Sequence, residues 1–245
     1  AGSLELQAQG NPEILYYQVS EYIEQGKIVE AKEIYEKIPK ESGYHKLSSI
    51  LFQLKEKTLG EILSIFPSIN TENTYLDSES SLLQLNVALQ ANDIDTAIAS
   101  IKRYHELNPK DNQRRLQYAH MLVNSGNEKE AKQVIASLQK SFPSNGLINE
   151  ISSRISYAEK DYESALSFAS IASVSAPNAV MPRIIAGFSS AQLNDPKGAL
   201  DNLEFVIDKL PAQHPAQRLY IRLKTSEGDF TGVAEKALEF DTIEE

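Results

Sequence analysis

The chain has 245 residues, with 24 Lys and Arg against 34 Asp and Glu for a formal charge of −10, and it contains neither Cys nor Trp. That length buries a sizeable core in one or two domains, and the lack of Cys excludes disulfide scaffolds, cysteine zinc sites, iron–sulfur clusters and thiol catalysis. The acidic balance argues against a nucleic-acid or anionic-membrane face, which needs basic surface, and no apolar run reaches the ~20 residues that span a bilayer.

The chain opens Ala1-Gly2-Ser3 without an initiator Met, as a trimmed segment of a longer protein would. Nothing in the composition separates a cytoplasmic from a periplasmic location. In chain order, residues 14–38 predict a helix pair turning at Gly26, and residues 44–66 a shorter, degenerate pair turning near Thr58-Leu59-Gly60. Pro67 to Asp77 is rich in Asn, Ser and Thr and reads as an irregular connection. All seven arginines follow it. We expect two irregular pairs over 1–77 and a regular array of five units over 78–245. The simpler alternative is one continuous solenoid with one untidy unit.

The array shows itself by period. Pro109, Pro143, Pro177 and Pro211 recur every 34 residues, as do Ala97, Ala131, Ala165 and Ala199, a column that Val233 continues. A third column, Asp93, Asn127, Asp161, Asp195 and Asp229, places short polar side chains where a helix N-cap needs an acceptor. Pro196 suits a first helical position. Between the columns, Leu116, Ala119, Leu122 and Val123, then Ala131, Val134, Ile135 and Leu138, lay one apolar stripe on each of two helices, broken at Asn124-Ser125-Gly126-Asn127. Each unit therefore predicts helix, tight turn, helix and a proline-marked link.

This helix–turn–helix unit resembles the tetratricopeptide repeat. Gln25 to Ala31, Asn124 to Ala131, Lys160 to Ala165 and Gly228-Asp229-Phe230 are similar to the family's Gly-Asp-Tyr-x-x-Ala turn. The family's small residue in the first helix is met by Gly187 and Ala119, not by Leu85 or Ser153, and there is no Trp. More narrowly, Tyr104 to Asn112, Ala176 to Ala179, Gly187 and Leu203-Glu204 resemble periplasmic repeat lipoproteins of bacterial exosortase and exopolysaccharide systems. The resemblance implies an all-α, right-handed α-solenoid of about seven helix pairs.

Motifs for chemistry are absent from the sequence. His45, His105, His120 and His214 form no ligand pair, so no metal is expected. No glycine-rich phosphate loop and no Gly-x-Ser-x-Gly elbow occur. The acidic pairs Asp93/Asp95 and Asp161/Glu163 fall at helix starts, where capping accounts for them. No cofactor is expected, and the chain reads as a non-enzyme.

In such arrays the first helices line the concave side. One column there is Asn86, His120, Arg154, Phe188 and Arg222. A turn earlier stand Leu82, Leu116, Glu150, Ile184 and Arg218, and three residues after the first come Leu89, Val123, Tyr157, Ala191 and Thr225. The candidate groove residues are therefore Asn86, His120, Arg154, Tyr157, Ile184, Phe188, Arg218 and Arg222, because aromatics bring contact area and Arg a planar fork of donors. The competing reading buries Tyr157, Phe188 and Ile184 between neighbouring units. Lys is absent from all three columns, which disfavours the chaperone-tail clamp known in the family.

Charge is uneven: −5 over 1–77, +1 over 78–226 and −6 over 227–245. The tail Glu239-Phe240-Asp241-Thr242-Ile243-Glu244-Glu245 reads as a solvated end or as an acidic docking segment. The apolar face of 233–240 allows self-association through the C-terminal end. Taken together, the sequence predicts a scaffold or adaptor that binds a protein or peptide in its groove, with no nucleic-acid partner. The alternative is an assembly or spacer module of an envelope polysaccharide-secretion system.

Overall fold

The computed structural model describes residues 10–66 and 74–228. Among them are 13 α-helices and no strands. The chain forms two compact units, Ala1–Arg114 and Arg115–Glu245. Residues 67–73, within the expected boundary, and Asp229, Val233 and the acidic tail lie outside the described residues.

In the first unit, α1 (Pro12–Glu24) pairs with α2 (Ile28–Tyr35), and α3 (Gly43–Gln53) leads into the one-turn α4 (Leu59–Leu63). The long α5 (Thr74–Gln90) then pairs with α6 (Ile94–Leu107). Local chemistry sets these starts. Pro12 takes the first position of α1, where its missing N–H costs nothing, and the Asn11 side chain accepts from Glu13 N at 3.0 Å. Thr58 and Glu61 close a reciprocal capping box on α4, which lets so short a helix hold. Leu15, Val19, Leu47, Ile50 and Ile62 form the core of this unit.

The second unit holds α7 (Asn112–Asn124), whose first residues precede the division, with α8 (Glu128–Ser141), α9 (Gly146–Ala158), α10 (Tyr162–Ser175), α11 (Val180–Gln192), α12 (Pro196–Glu204) and α13 (Pro215–Ser226). Among the described residues six helix pairs are complete, and α13 follows the last of them.

Every described turn inside a regular pair uses one device. Asn92, Gly126, Lys160, Asn194 and Gly228, 34 residues apart, all have positive φ, as does Gly26 in the first pair. The left-handed residue reverses the chain after the first helix, and the next N–H reaches back five residues. Asp93 N donates to Ala88 O at 2.9 Å, Asn127 N to Leu122 O at 2.8 Å, Asp161 N to Ser156 O at 2.9 Å and Asp195 N to Ser190 O at 2.9 Å.

The residue after the turn then opens the second helix. Asp93, Asp161 and Asp195 accept from the backbone N–H of Thr96, Ser164 and Gly198. The first two carboxyls sit below their ordinary range, held there by hydrogen bonds from the Thr96 and Ser164 side chains and backbones. Asn127 departs from the expected cap. Its side chain makes no cap bond to α8 and instead donates to Ser125 Oγ at 3.0 Å.

The alanine column is fully buried: Ala31, Ala97, Ala131, Ala165 and Ala199 each have 0% exposure. A side chain this small lets two packed helices come close together. Gly187 faces this line from α11, and a Cβ there would lie 2.7 Å from Leu203 Cγ. Leu85, Ala119 and Ser153 fill the same column at 0% exposure. The family's small residue is therefore a buried packing position, which Leu85 fills in the α5–α6 pair.

Links between pairs are held by buried amides. Asn149, fully buried on α9, donates to Pro143 O at 2.8 Å and to Asn145 O at 2.7 Å. Two repeats on, Gln217 on α13 donates to Ile207 O at 2.8 Å and Leu210 O at 3.2 Å, ahead of Pro211. Proline ends the helix, and the amide satisfies the carbonyls that the missing helical turn leaves open.

Candidate functional site

The second unit carries a depression of about 400 Å³ lined by Tyr157, Phe188, Ala191, Gln192, Pro215, Arg218, Leu219 and Arg222. Three first helices supply it: α9 gives Tyr157, α11 gives Phe188 through Gln192, and α13 gives the rest. Its floor belongs to the core. Leu219 is buried, and Phe188 and Ala191 pack against the cluster of Leu200, Leu203, Ile207, Ala216 and Tyr220. Tyr157 stands edge-on to Phe188 with ring centroids 6.4 Å apart, and edge-on to Tyr162 at 5.4 Å. Both geometries suit the positive ring edge meeting a ring face. Burial pushes the Tyr157 phenol above its ordinary range, with Tyr162 adding to the shift.

Arg218 and Arg222, exposed and one turn apart on α13, give this lining its only formal charges. An apolar, aromatic floor beside two guanidinium groups fits a ligand that joins an apolar side chain to a carboxylate. A second depression of about 390 Å³, lined by Gly126, Asn127, Glu128, Lys129, Glu130 and Gln133, has no apolar side chain and belongs to the α7–α8 turn. Among the described residues, no group of three or more His, Asp or Glu side chains could hold a metal ion, and no helix is long and apolar enough to cross a membrane.

Of the eight groove residues expected from the sequence, the structure brings four together here: Tyr157, Phe188, Arg218 and Arg222. Ile184, expected on the groove, is 7% exposed. An apolar side chain at this position of α11 gains more from the core than from the surface. Arg154 is engaged within the fold: it donates to Asn124 Oδ1 at 2.7 Å and Val123 O at 3.1 Å, tying α9 to the end of α7. His120 is half-buried on α7, and Asn86 is exposed on α5 in the first unit.

Sequence reasoning missed Gln192, Pro215 and Leu219 as lining. Leu219 and Pro215 carried a usable signal, as the neighbours in helical register of Arg218 and Arg222. Gln192, the last residue of α11, has no apolar or charged character to betray it.

Residues 88–155 match the tetratricopeptide-repeat family profile. No curated protein matches the sequence. Among solved structures, the fold is similar to MamA residues 41 to the end from Desulfovibrio magneticus RS-1, at 15% identity and a TM-score of 0.56, over 69% of this chain and 95% of that one. A tetratricopeptide repeat protein from Parabacteroides merdae ATCC 43184 is similar over 95% of this chain and 92% of its own, at 13% identity and a TM-score of 0.53. PilW, described as a widely conserved type IV pilus biogenesis factor, is similar over 82% of this chain and 92% of its own, at 10% identity and a TM-score of 0.58. Residues 88–155 are thus tetratricopeptide repeats, and the helix-pair fold of the described residues is that of tetratricopeptide-repeat proteins.

Proposed function

We propose that this protein is a non-catalytic scaffold that binds a protein or peptide partner, with the depression between Tyr157, Phe188, Arg218 and Arg222 as its principal contact. The observation that carries the reading is the composition of that depression. Two arginines flank a core-anchored aromatic floor, and the lining holds no carboxylate, imidazole or activated hydroxyl to do acid–base or nucleophilic work. Its one phenol is pushed upward, away from the range in which it would trade protons near neutral pH. Aromatic and arginine side chains are the residue types that dominate interface energetics. His120 contributes, in this reading, as an outlying polar contact of the second unit, and Asn86, in the first unit, as a polar contact of that unit.

Affinity capture with the parent chain, Phe188→Ala, Arg222→Glu and the distant surface control Lys129→Glu tests this. The expected outcome is a partner retained by the parent and the control and reduced at least tenfold by both pocket variants. Equal recovery by all four chains would remove the pocket from the function. Arg154→Glu is a poorer probe, because its guanidinium holds α9 to α7.

A further inference from the structure

In the first unit, α1, α3 and α5 bring phenols and carboxylates to one place. On α1, Glu13, Tyr16 and Tyr17 stand three and four residues apart and so share a face. The Tyr16 ring centroid lies 5.4 Å from that of Tyr17 and 5.8 Å from that of Tyr44 on α3. From α5, Glu79 accepts a hydrogen bond from the Tyr17 hydroxyl at 3.2 Å. Tyr16 and Tyr44 are each 5% exposed, whereas Tyr17 is 47% exposed and leaves ring surface open.

This cluster has acceptors to spare and no cation of its own. The Tyr44 hydroxyl is buried and has no hydrogen-bond partner among the described residues, a costly state for a polar group. It sits within reach of the cluster's charges: burial pushes the Tyr44 phenol up to about 12, and Glu13, Tyr17 and Glu79 add to the shift. Among the described residues neither Glu13 nor Glu79 forms an ion pair. The sequence holds no Lys or Arg in residues 1–26 or 58–101, the stretches that contain α1 and α5.

We propose that this cluster binds an arginine side chain of a protein partner, with the guanidinium against the Tyr17 ring and its N–H groups donating to Glu13, Glu79 and the Tyr44 hydroxyl. The acceptors come from three helices. A guanidinium presents five donors in one plane against the three of an ammonium, stacks on aromatic faces and is the more weakly hydrated of the two. A quaternary ammonium would suit the rings but has no N–H to offer the Tyr44 hydroxyl. The site lies wholly within the first unit and does not rest on the depression of the second, which takes the opposite charge.

An NMR titration of the protein with ¹³C-labelled tyrosine rings tests this, with the Tyr17 signal assigned by its loss in Tyr17→Phe. The probes are three blocked pentapeptides in which a central arginine, lysine or trimethyl-lysine is flanked by glycines. The chains are the parent, Glu13→Gln, Glu79→Gln, Tyr44→Phe and the control Glu33→Gln, exposed on α2, each checked for an unchanged circular dichroism melt. The expected outcome is a saturable shift of the Tyr17 signal, with the arginine peptide at least threefold tighter than either other peptide. Glu13→Gln, Glu79→Gln and Tyr44→Phe are each expected to weaken it at least threefold, and Glu33→Gln to leave it unchanged. Tyr44→Phe removes only an unpaired hydroxyl, so a merely structural role would leave binding where it was. No saturable shift at millimolar arginine peptide, or equal binding by all five chains, overturns the site. Lysine or trimethyl-lysine peptide bound as tightly as the arginine peptide overturns its assignment to a guanidinium.

Discussion

Lys160 occupies the left-handed turn position with φ of 64°, where the other described repeats place Gly or Asn. A side chain bearing a Cβ is strained there, whereas Gly is not and Asn is only mildly so. Lys160→Gly is therefore expected to stabilise the protein by about 0.5 to 1 kcal/mol, even though Gly raises the entropy of the unfolded chain. The midpoint of chemical denaturation checks this, with the slope unchanged. The turn column was only partly legible in the sequence. Gly26, Gly126 and Gly228 announce positive φ, and Asn92 and Asn194 permit it, but Lys160 carries no such mark. The cap column read more directly, since Asp93, Asp161 and Asp195 do accept from the second-helix backbone. Asn127 shows the limit of that reading: residue type fits, yet the side chain turns to Ser125.

At the scale of the helix pair, packing comes from small residues and the links from buried amides. The alanine column was visible as a period because alanine is the one common side chain that lets two helix backbones approach without opening a cavity. Buried polar residues are harder to see, since Asn149 and Gln217 look in sequence like any solvated amide. Asn149→Leu keeps the branched outline of the side chain and removes both donors to the Pro143 and Asn145 carbonyls. Leaving those groups unsatisfied is expected to cost about 1 to 3 kcal/mol, read as a lower denaturation midpoint with an unchanged slope. A loss below a few tenths of a kcal/mol would mean that water replaces the amide. The groove residues were legible at this scale only as positions. Spacing put Ile184 on the same face as Phe188, but not the depth of each, and Arg154 read as an anchor because sequence spacing says nothing about the Val123 carbonyl it meets in the fold.

For the whole molecule, the helix-pair fold accounts for a chain that needs no cysteine. Each pair buries its alanine line against its own partner, and the caps and turns repeat with the same 34-residue spacing. The net charge of −10 is a sum of unlike parts, −5 over residues 1–77, +1 over 78–226 and −6 over 227–245. Tetratricopeptide repeats fix the spacing of side chains along first helices, so function resides in what those side chains offer rather than in the fold. The central claim, that a partner is bound in the depression between α9, α11 and α13, is tested most directly by site-specific photo-cross-linking. p-Benzoylphenylalanine is placed either at position 192, in the lining, or at position 174, where Val174 is 82% exposed on the second helix of its pair. The account predicts partner adducts from position 192 and none from position 174. Adducts from position 174 with none from position 192 would contradict it.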